Sequence, residues 1–441
     1  MHIAVDIRCL TEKNRTGVGE YIYQLLDALF KIDTENQYFL LYNSFSDVSE
    51  IVPKWNQQNV QYVVSRWPNK LFNLAVLLGV IKLDTWVLRF VKKNNERIRQ
   101  YYNPPLRGAG GYSTCADKTK AETLPNPPQG GRRDDNETIE SRCESRLSLW
   151  ASQSHTIDIF FSPNINFTHI SPRTKFVLTI HDLSFELFKD CYSWRRRLWH
   201  WVVNPKKQCR RADLILTPSF STKMDVEKEY GMSGEKVVCI YPGLGLGSRK
   251  PEVEEIKKVR EKYTLPLKYI LYLGTLEPRK NILAIIDAFS NSKLKTQNYK
   301  FIIAGSPGWK YKKILKKIDE TPGVSYIGYI ASEDKTALYM MSSLFVFPSL
   351  YEGFGFPVLE ALSCGIPVIT SNRSSLPELV ESHACMINPD NVSEISKNME
   401  RILLHTSYHD MLVQHTDELE RFSWEKSASE LLEIFKRNVR I

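Results

Sequence analysis

Short apolar runs alternate with helical patterns along most of the chain, and this alternation restricts the fold more than any other feature. The runs that predict strands are Ile3–Ile7, Tyr38–Tyr42, Ile157–Ser162, Phe176–Ile180, Leu214–Thr217, Tyr269–Leu273, Phe301–Ala304, Val324–Ile327, Leu344–Phe347 and Pro367–Thr370. Between them lie stretches with helical periodicity, for example Gly19–Lys31 and Phe356–Ser363. Strands that alternate with helices indicate parallel sheets connected by right-handed crossovers.

The strands fall into two sets of about five, which predicts two doubly wound α/β domains rather than one barrel. A length of 441 residues is sufficient for two such domains. The boundary is expected near Pro242–Lys250, where a Gly-rich segment follows a strand and precedes a charged helix. We predict a first domain over residues 1–245, a second over 246–415, and a final helix over 416–441 that packs back towards the first domain.

Residues 103–146 do not fit this alternation. They contain five Pro, five Gly and seven charges of each sign, with few large apolar side chains. Such a composition leaves little to bury, so ordering the segment would cost entropy without return. We predict a disordered insertion whose removal leaves the protein folded and functional. The alternative is a lid that folds onto the cleft of the first domain.

Charged residues and cysteine spacing exclude several classes of protein. Asp6 and Arg8 interrupt the apolar stretch that a signal peptide needs, and polar residues interrupt the apolar region Leu71–Val91. The eight cysteines include no Cys-x-x-Cys pair, which argues against zinc fingers and disulfide frameworks. These features favour a cytoplasmic protein with reduced thiols.

Most of the net charge of +9 comes from one segment, Cys191–Ala212, which has seven cations and no acid. A local basic patch on a chain that is otherwise nearly neutral argues against nucleic-acid binding. Trp194, Trp199 and Trp201 are interleaved with the cations. A basic helix with indoles suits an anionic membrane surface, such as the inner face of a membrane. The alternative is a solvated cationic helix whose tryptophans pack into the core.

The segment Tyr351–Glu360 is the strongest local signal for a binding site. It follows the apolar strand Leu344–Phe347 and places Glu352 in a Gly-rich loop and Glu360 on the helix that the loop opens. Gly353 and Gly355 allow the backbone to approach a ligand, and a helix start offers N–H groups to an anion. Ligands of open α/β sheets bind at the carboxyl ends of strands, where this loop is expected.

A second signal is the segment Leu273–Asn281, which lies between a strand and a helix. Arg279 and Lys280 follow Gly274 and stand near the start of the helix. A guanidinium fork and an ammonium point charge together suit a diphosphate. An exposed basic pair is the alternative interpretation, and the preceding strand and glycine make it the weaker one.

Together these residues resemble the retaining glycosyltransferases of the GT-B class known as family 4. The E-x7-E motif of that family is matched by Glu352 and Glu360. The matching segments of the amino half are Asp6–Arg8, Thr16–Ile22, Phe161–Pro163, His181–Leu183 and Pro218–Ser219. The resemblance is closest to the bacterial branch of mannosyltransferases in polysaccharide assembly. It implies two Rossmann-like domains that face each other across a cleft.

The resemblance also implies roles for individual residues. Arg279 and Lys280 would hold the diphosphate of a nucleotide-sugar donor, with Gly274 beside them, and Glu360 would bind the nucleotide ribose. Glu352 and the backbone of Gly353, Phe354, Gly355 and Phe356 would bind the donor sugar. His181 would lie across the cleft near the reacting carbon, and Gly17 and Gly19 near the acceptor. GDP-mannose is the expected donor, and a glycan or lipid-linked sugar the expected acceptor.

Sugar transfer from a nucleotide diphosphate passes through an oxocarbenium-like transition state, in which the leaving diphosphate gains charge. Fixed cations can stabilise that charge, and no Asp-x-Asp motif for a metal occurs in the chain. We therefore expect no metal and no cofactor beyond the nucleotide sugar. Glu20 departs from the family pattern, in which many relatives have a basic residue. An inactive nucleotide-sugar-binding protein and a membrane-surface binding module are the alternative functions.

Overall fold

The computed structural model describes residues 1–12, 15, 17–102, 156–244, 251–380, 384–405, 412 and 417–439, with backbone alone for residues 94–102 and 439. The insertion predicted at residues 103–146 therefore lies outside the described residues. The same is true of most of the linker predicted near Pro242–Lys250.

The first domain is built on a sheet of seven parallel strands within the described residues, in the order β3-β2-β1-β4-β5-β6-β7. The strands are β1 His2–Asp6, β2 Gln37–Asn43, β3 Val60–Ser65, β4 Ile159–Ser162, β5 Lys175–Thr179, β6 Leu214–Thr217 and β7 Val237–Cys239. The central strands are buried on both faces, as near-continuous apolar runs require. The direction of winding reverses between β1 and β4, which makes this pair the topological switch point.

The helices of the first domain cover both faces of this sheet. They are α1 Gly17–Ile32, α2 Asn69–Leu77, α3 Leu83–Tyr102, α4 Ser184–Leu187, α5 Trp194–Val203, α6 Pro205–Arg211 and α7 Phe220–Tyr230. Asn204 ends α5 in the left-handed conformation, and its side chain accepts the Lys207 N–H at the start of α6. This one residue therefore divides the basic segment predicted at 191–212 into two helices.

The second domain contains six parallel strands among the described residues, in the order β10-β9-β8-β11-β12-β13. The strands are β8 Tyr269–Leu273, β9 Lys300–Ala304, β10 Val324–Tyr326, β11 Leu344–Phe347, β12 Val368–Ser371 and β13 Cys385–Ile387. The helices are α8 Val253–Lys262, α9 Ile282–Asn291, α10 Lys312–Asp319, α11 Lys335–Met340, α12 Phe356–Ser363, α13 Leu376–Val380 and α14 Val392–Leu404. The winding reverses between β8 and β11.

The last helix, α15 Trp424–Val439, packs against the first domain although it follows the second. Phe435 is fully buried there, and its ring centroid lies 5.6 Å from that of Phe161 on β4. Trp424 Nε1 donates to the Leu244 carbonyl at 2.9 Å, and the Ser427 hydroxyl donates to the Tyr241 carbonyl at 2.6 Å. The core of the first domain is thus completed by the carboxyl end of the chain.

Each run that predicted a strand overlaps a strand of the structure, but the sequence analysis missed β3, β7 and β13. All three lie at the edges of their sheets. Edge strands are buried on fewer sides, and half of the positions in β3 are exposed or half-buried, so no continuous apolar run marks it. The strands β7 and β13 have three residues each, too few for a periodic signal.

We expect Phe435→Ala to destabilise the first domain by about 3–5 kcal/mol, because it removes a fully buried ring from a core that the helix α15 completes. Urea unfolding followed by tryptophan fluorescence measures this loss. Arg437→Ala, on the exposed side of the same helix, is the matched control and should change stability by less than about 0.5 kcal/mol. Equal stability of the two variants would show that α15 is dispensable to this core.

Candidate active site

The two segments singled out in the second domain meet at the switch point of its sheet. Residues 274–281 follow β8 and residues 348–355 follow β11, and these strands are neighbours paired at Leu344↔Ile270 and Phe345↔Leu271. The backbone joins the segments directly, because the Leu350 N–H donates to the Arg279 carbonyl at 2.9 Å. The crevice at such a point is where open α/β sheets bind ligands.

Four side chains form a charge cluster at this crevice: Glu277, Arg279, Lys280 and Glu352. Arg279 Nη1 lies 3.1 Å from Glu352 Oε2, and Arg279 Nη2 lies 2.7 Å from Glu277 Oε1. Lys280 Nζ donates to Glu352 Oε1 at 2.6 Å, while Arg279 also donates to the Tyr351 carbonyl. The structure thus brings together Glu352, Arg279 and Lys280, which the sequence placed in two separate motifs.

Burial and charge act against each other in this cluster. Burial alone would raise the pKa of Glu352, but Arg279 and Lys280 outweigh it and hold that pKa below its ordinary value. Burial raises the pKa of Glu277, against the opposing effect of the same two cations. The pKa of Arg279 lies well above its ordinary value, because Glu352 and Glu277 outweigh the desolvation of its guanidinium. Glu352 is therefore an anion held between two cations.

Glu360 belongs to a second group rather than to the charge cluster. It lies on α12, where its Oε2 accepts the Tyr339 hydroxyl at 2.8 Å and its Oε1 lies 3.7 Å from Lys335 Nζ. The carboxylate is buried, and Tyr339 is fully buried beside it. The pKa of Tyr339 is raised well above its ordinary value by this burial and by the charge of Glu360.

The loop between the two glutamates is held from the next strand connection. The Ser374 hydroxyl accepts the Glu352 N–H at 2.8 Å, and the Ser375 hydroxyl donates to the carbonyl oxygens of Glu352 and Phe354. Gly355 has a φ of 123°, which side chains rarely tolerate. The helix α12 begins at Phe356, but Pro357 has no N–H and the Val358 N–H donates to the Gly355 carbonyl at 3.0 Å, so this helix start offers fewer N–H groups to an anion than the sequence predicted.

The side chains of Phe354 and Phe356 pack between the domains. Phe354 lies 5.8 Å from Phe422, and Phe356 stacks on Trp424 at 6.2 Å, measured between ring centroids. Phe354 also contacts Phe356 at 5.1 Å. These rings therefore fix the loop at the boundary between the two domains.

His181 follows β5 of the first domain. Its Nε2 lies 2.8 Å from the Pro163 carbonyl oxygen, and its ring packs edge-on against Tyr21 with centroids 4.8 Å apart. Burial lowers the pKa of His181, so the ring is neutral near pH 7. A carbonyl oxygen accepts only, and Nε2 must therefore carry the proton while Nδ1 keeps a lone pair.

His181 and the second domain meet through backbone. A Cβ added to Gly353 would overlap the His181 carbonyl oxygen and would lie 2.9 Å from Asp182 Cβ. Nearby, the Thr222 hydroxyl donates to the Gly353 carbonyl at 3.2 Å. The structure thus places His181 opposite the loop of Glu352, across the boundary between the two domains.

Gly17 and Gly19 form the first turn of α1, beyond the strand β1 at the switch point of the first sheet. Gly17 is exposed, and a Cβ built on it meets no heavy atom within 4 Å, whereas Gly19 is buried. Tyr21, two residues after Gly19, packs its ring against the ring of His181. The turn and His181 therefore belong to the same side of the boundary.

The sequence analysis missed several residues of this site. Glu277 stands two positions before Arg279 inside an analysed motif, so its charge beside the basic pair was a usable signal. Lys335 and Tyr339 gave no signal, because helix packing alone brings them to Glu360. No pattern in the sequence marked Glu378 either. Its carboxylate accepts hydrogen bonds from the N–H groups of Phe220 and Ser221 at the start of α7, at 2.8 and 2.5 Å.

With this geometry in place, comparisons with known proteins identify the family. Residues 253–418 match the family described as Glycosyl transferases group 1, and residues 142–246 match Glycosyltransferase Family 4. The chain belongs to the family 4 glycosyltransferases. Among relatives, it is 30% identical over 297 residues to the O-antigen chain mannosyltransferase B of Escherichia coli, a match that covers 66% of this chain and 77% of the relative.

One further relative and one solved structure are similar to this glycosyltransferase. It is 33% identical over 272 residues to the serotype-specific mannosyltransferase WbdA of Escherichia coli, covering 60% of this chain and 33% of WbdA. The chain thus spans a third of that relative's length. The crystal structure of HepE from Anabaena, in complex with UDP and glucose, aligns with a TM-score of 0.60 and 16% identity over 99% of both chains. The fold is therefore GT-B, as the resemblance implied.

The described residues contain no group of three or more His, Cys, Asp or Glu side chains that could hold a metal ion. In the same part of the chain, no helix is both long and apolar enough to cross a membrane.

We expect Gly353→Ala to prevent the two domains of the glycosyltransferase from closing, because the added methyl group overlaps the His181 carbonyl across the boundary. Small-angle X-ray scattering should show a larger radius of gyration with both unfolding transitions retained. Displacing the reacting groups by about 1 Å should reduce transfer roughly a hundredfold or more. Gly17→Ala, whose new methyl group meets no neighbour, is the scattering control. An unchanged radius with full activity would contradict this account of the boundary.

Proposed function

We propose that this glycosyltransferase moves mannose from GDP-mannose to a glycan or lipid-linked acceptor in polysaccharide assembly, with retention of the anomeric configuration. The names of the relatives, O-antigen chain mannosyltransferase B and WbdA, support mannose as the transferred sugar. The observation that carries the proposal is the charge cluster at the switch point, which faces His181 across the domain boundary. No finding supports the alternatives of an inactive binding protein or a membrane module without catalysis.

Lys280 and Arg279 take different parts in donor binding under this proposal. Arg279 uses four of its five N–H groups on Glu277, Glu352 and the Tyr351 carbonyl, so it positions Glu352. Lys280 has three N–H groups, of which one donates to Glu352. The other two can bind the diphosphate. A fixed ammonium beside the leaving group stabilises the negative charge that grows there, which is the part a divalent ion takes in other transferases.

The remaining residues orient the two sugars. Glu352 accepts hydrogen bonds from hydroxyls of the donor sugar, and Glu360 accepts hydrogen bonds from the vicinal hydroxyls of the ribose. In the transfer step, the bond between the anomeric carbon and the diphosphate oxygen breaks, and the acceptor hydroxyl oxygen bonds to that carbon. The hydroxyl proton passes to the departing phosphate oxygen. Neutral His181 can accept a sugar hydroxyl at Nδ1, which fixes the reacting carbon without adding a charge.

The distinction between Lys280 and Arg279 is testable. Lys280→Ala should lower kcat roughly a hundredfold or more, because it removes a group aimed at the leaving diphosphate. Arg279→Ala should instead destabilise the second domain by about 3–5 kcal/mol, because it leaves Glu277 and Glu352 buried without a guanidinium. Steady-state kinetics and urea unfolding of both variants measure the difference, with the exposed Lys313→Ala as control. A Lys280→Ala variant with full activity would refute the assignment.

Glu360→Gln should weaken GDP binding about tenfold to a hundredfold, because a charged hydrogen-bond acceptor for the ribose is lost. The amide has the size of the carboxylate, so the fold should be retained. Isothermal titration calorimetry with GDP measures the affinity. Tyr339→Phe removes the tyrosine partner of Glu360 but keeps its charge, and it should have the smaller effect. Unchanged affinity in Glu360→Gln would exclude Glu360 from the ribose site.

A further inference from the structure

The helix α2 and the turn after it expose large aliphatic side chains. Leu71 is 55% exposed, Leu78 67% and Val80 77%, and the exposed set comprises Leu71, Leu74, Leu77, Leu78 and Val80. On the other side of the helix, Phe72 and Val76 are fully buried. A surface helix of a soluble domain ordinarily has a polar outer face. Exposed aliphatic side chains gathered on one helix and the turn after it indicate an interaction site.

The helix α5 exposes indoles together with arginines. Trp194 is 68% and Trp201 77% exposed, and Leu198 lies between them in the sequence. The exposed cations of this helix and of α6 are Arg195, Arg196, Arg197, Lys207, Arg210 and Arg211. The tryptophans therefore do not pack into the core, which was one of the two interpretations of this segment.

One loop joins these two regions into a single surface. The loop follows β4, and its Phe167 ring lies 6.2 Å from the Trp199 ring of α5. Two residues later, His169 packs against Gly79, and its carbonyl accepts the Leu83 N–H at 2.8 Å. We name the combined area, residues 71–80 and 194–211, the apolar-basic surface.

The apolar-basic surface lies near β1 of the first domain and also contacts the second domain. Arg8, at the end of β1, donates to Asn73 Oδ1 at 3.4 Å, and its guanidinium lies 5.8 Å from the centre of the Phe72 ring in α2. In α5, the guanidinium of Arg196 lies 4.3 Å from the centre of the Trp309 ring, which belongs to the second domain. A partner on this surface would therefore lie beside the carboxyl end of β1, on the domain where the acceptor is expected to bind.

We propose that the apolar-basic surface docks the glycosyltransferase on an anionic lipid bilayer. Seven cations without an acid between Cys191 and Ala212 complement anionic headgroups. Indoles suit the headgroup boundary, and the leucines of α2 can enter the acyl region. The surface has the three kinds of side chain that a bilayer interface takes, on helices that the loop after β4 links. The proposal does not depend on the donor sugar, because docking needs no substrate.

Vesicle sedimentation of the full chain tests the proposal. Vesicles of phosphatidylcholine and phosphatidylglycerol should retain the protein, and vesicles of phosphatidylcholine alone should retain it far less. The double variant Arg195→Gln with Arg197→Gln should lower the partition coefficient on anionic vesicles about twenty-fivefold, at about fivefold for each cation. Leu74→Ser with Leu78→Ser should lower it roughly tenfold for each leucine.

Matched controls come from the second domain. Leu267 is 83% exposed, and Lys312 and Lys313 are exposed cations on α10. Leu267→Ser and the pair Lys312→Gln with Lys313→Gln should leave sedimentation unchanged. Melting curves establish that each variant is folded, and the arginine pair lies on the exposed side of its helix, so it tests the proposal even if the leucine pair fails to fold.

Three results would overturn the proposal. The first is an absence of sedimentation with anionic vesicles at low salt. The second is an equal loss of sedimentation in the control and surface variants. The third is a change of mass in light scattering, without vesicles, when Leu74 and Leu78 are replaced, because that would make this surface a contact between protein chains.

Discussion

The charge cluster of the second domain depends on the pairing of Glu352 with Arg279 and Lys280. A carboxylate this deeply buried would be costly without partners, and removing one partner of such a pair typically costs about 3–5 kcal/mol. The pairing exists because β8 and β11 are adjacent parallel strands that end at the same edge. The sheet therefore determines which charges meet. It brings the nitrogen atoms of Arg279 and Lys280 within 3.1 Å of the Glu352 carboxylate, although the two segments lie some seventy residues apart in the sequence.

The same arrangement couples the two domains. Glu352 continues directly into Gly353, whose backbone touches His181, and Glu378 closes the start of α7 from the opposite domain. The aromatic side chains of the loop reach Trp424, which opens the helix that completes the first core. The loop that contains Glu352 is thus held by its own domain, by the other domain and by the carboxyl end of the chain. A glycosyltransferase needs such a fixed loop, because transfer requires the reacting atoms of two sugars on different domains to be positioned accurately.

Much of this could be predicted from the sequence. The central strands are apolar runs because both faces of a parallel sheet are buried, and the E-x7-E motif pointed to the loop whose Glu352 joins the charge cluster. The pairings inside the site could not be predicted, because Lys335 and Tyr339 reach Glu360 only through the packing of α11 against α12. The edge strands were missed because they are less buried than the central strands, so no continuous apolar run marks them. The leucines of α2 looked like an ordinary interrupted apolar segment, and their exposure became evident only in the structure.

A crystal structure of the protein with GDP-mannose is the most direct measurement of the central claim. The account predicts a diphosphate oxygen within about 3 Å of Lys280 Nζ, with Arg279 still bound to Glu277 and Glu352. It also predicts the ribose hydroxyls on Glu360 and the mannose hydroxyls on Glu352. A diphosphate bound away from β8 and β11, with the pair of Lys280 and Glu352 undisturbed, would contradict the account.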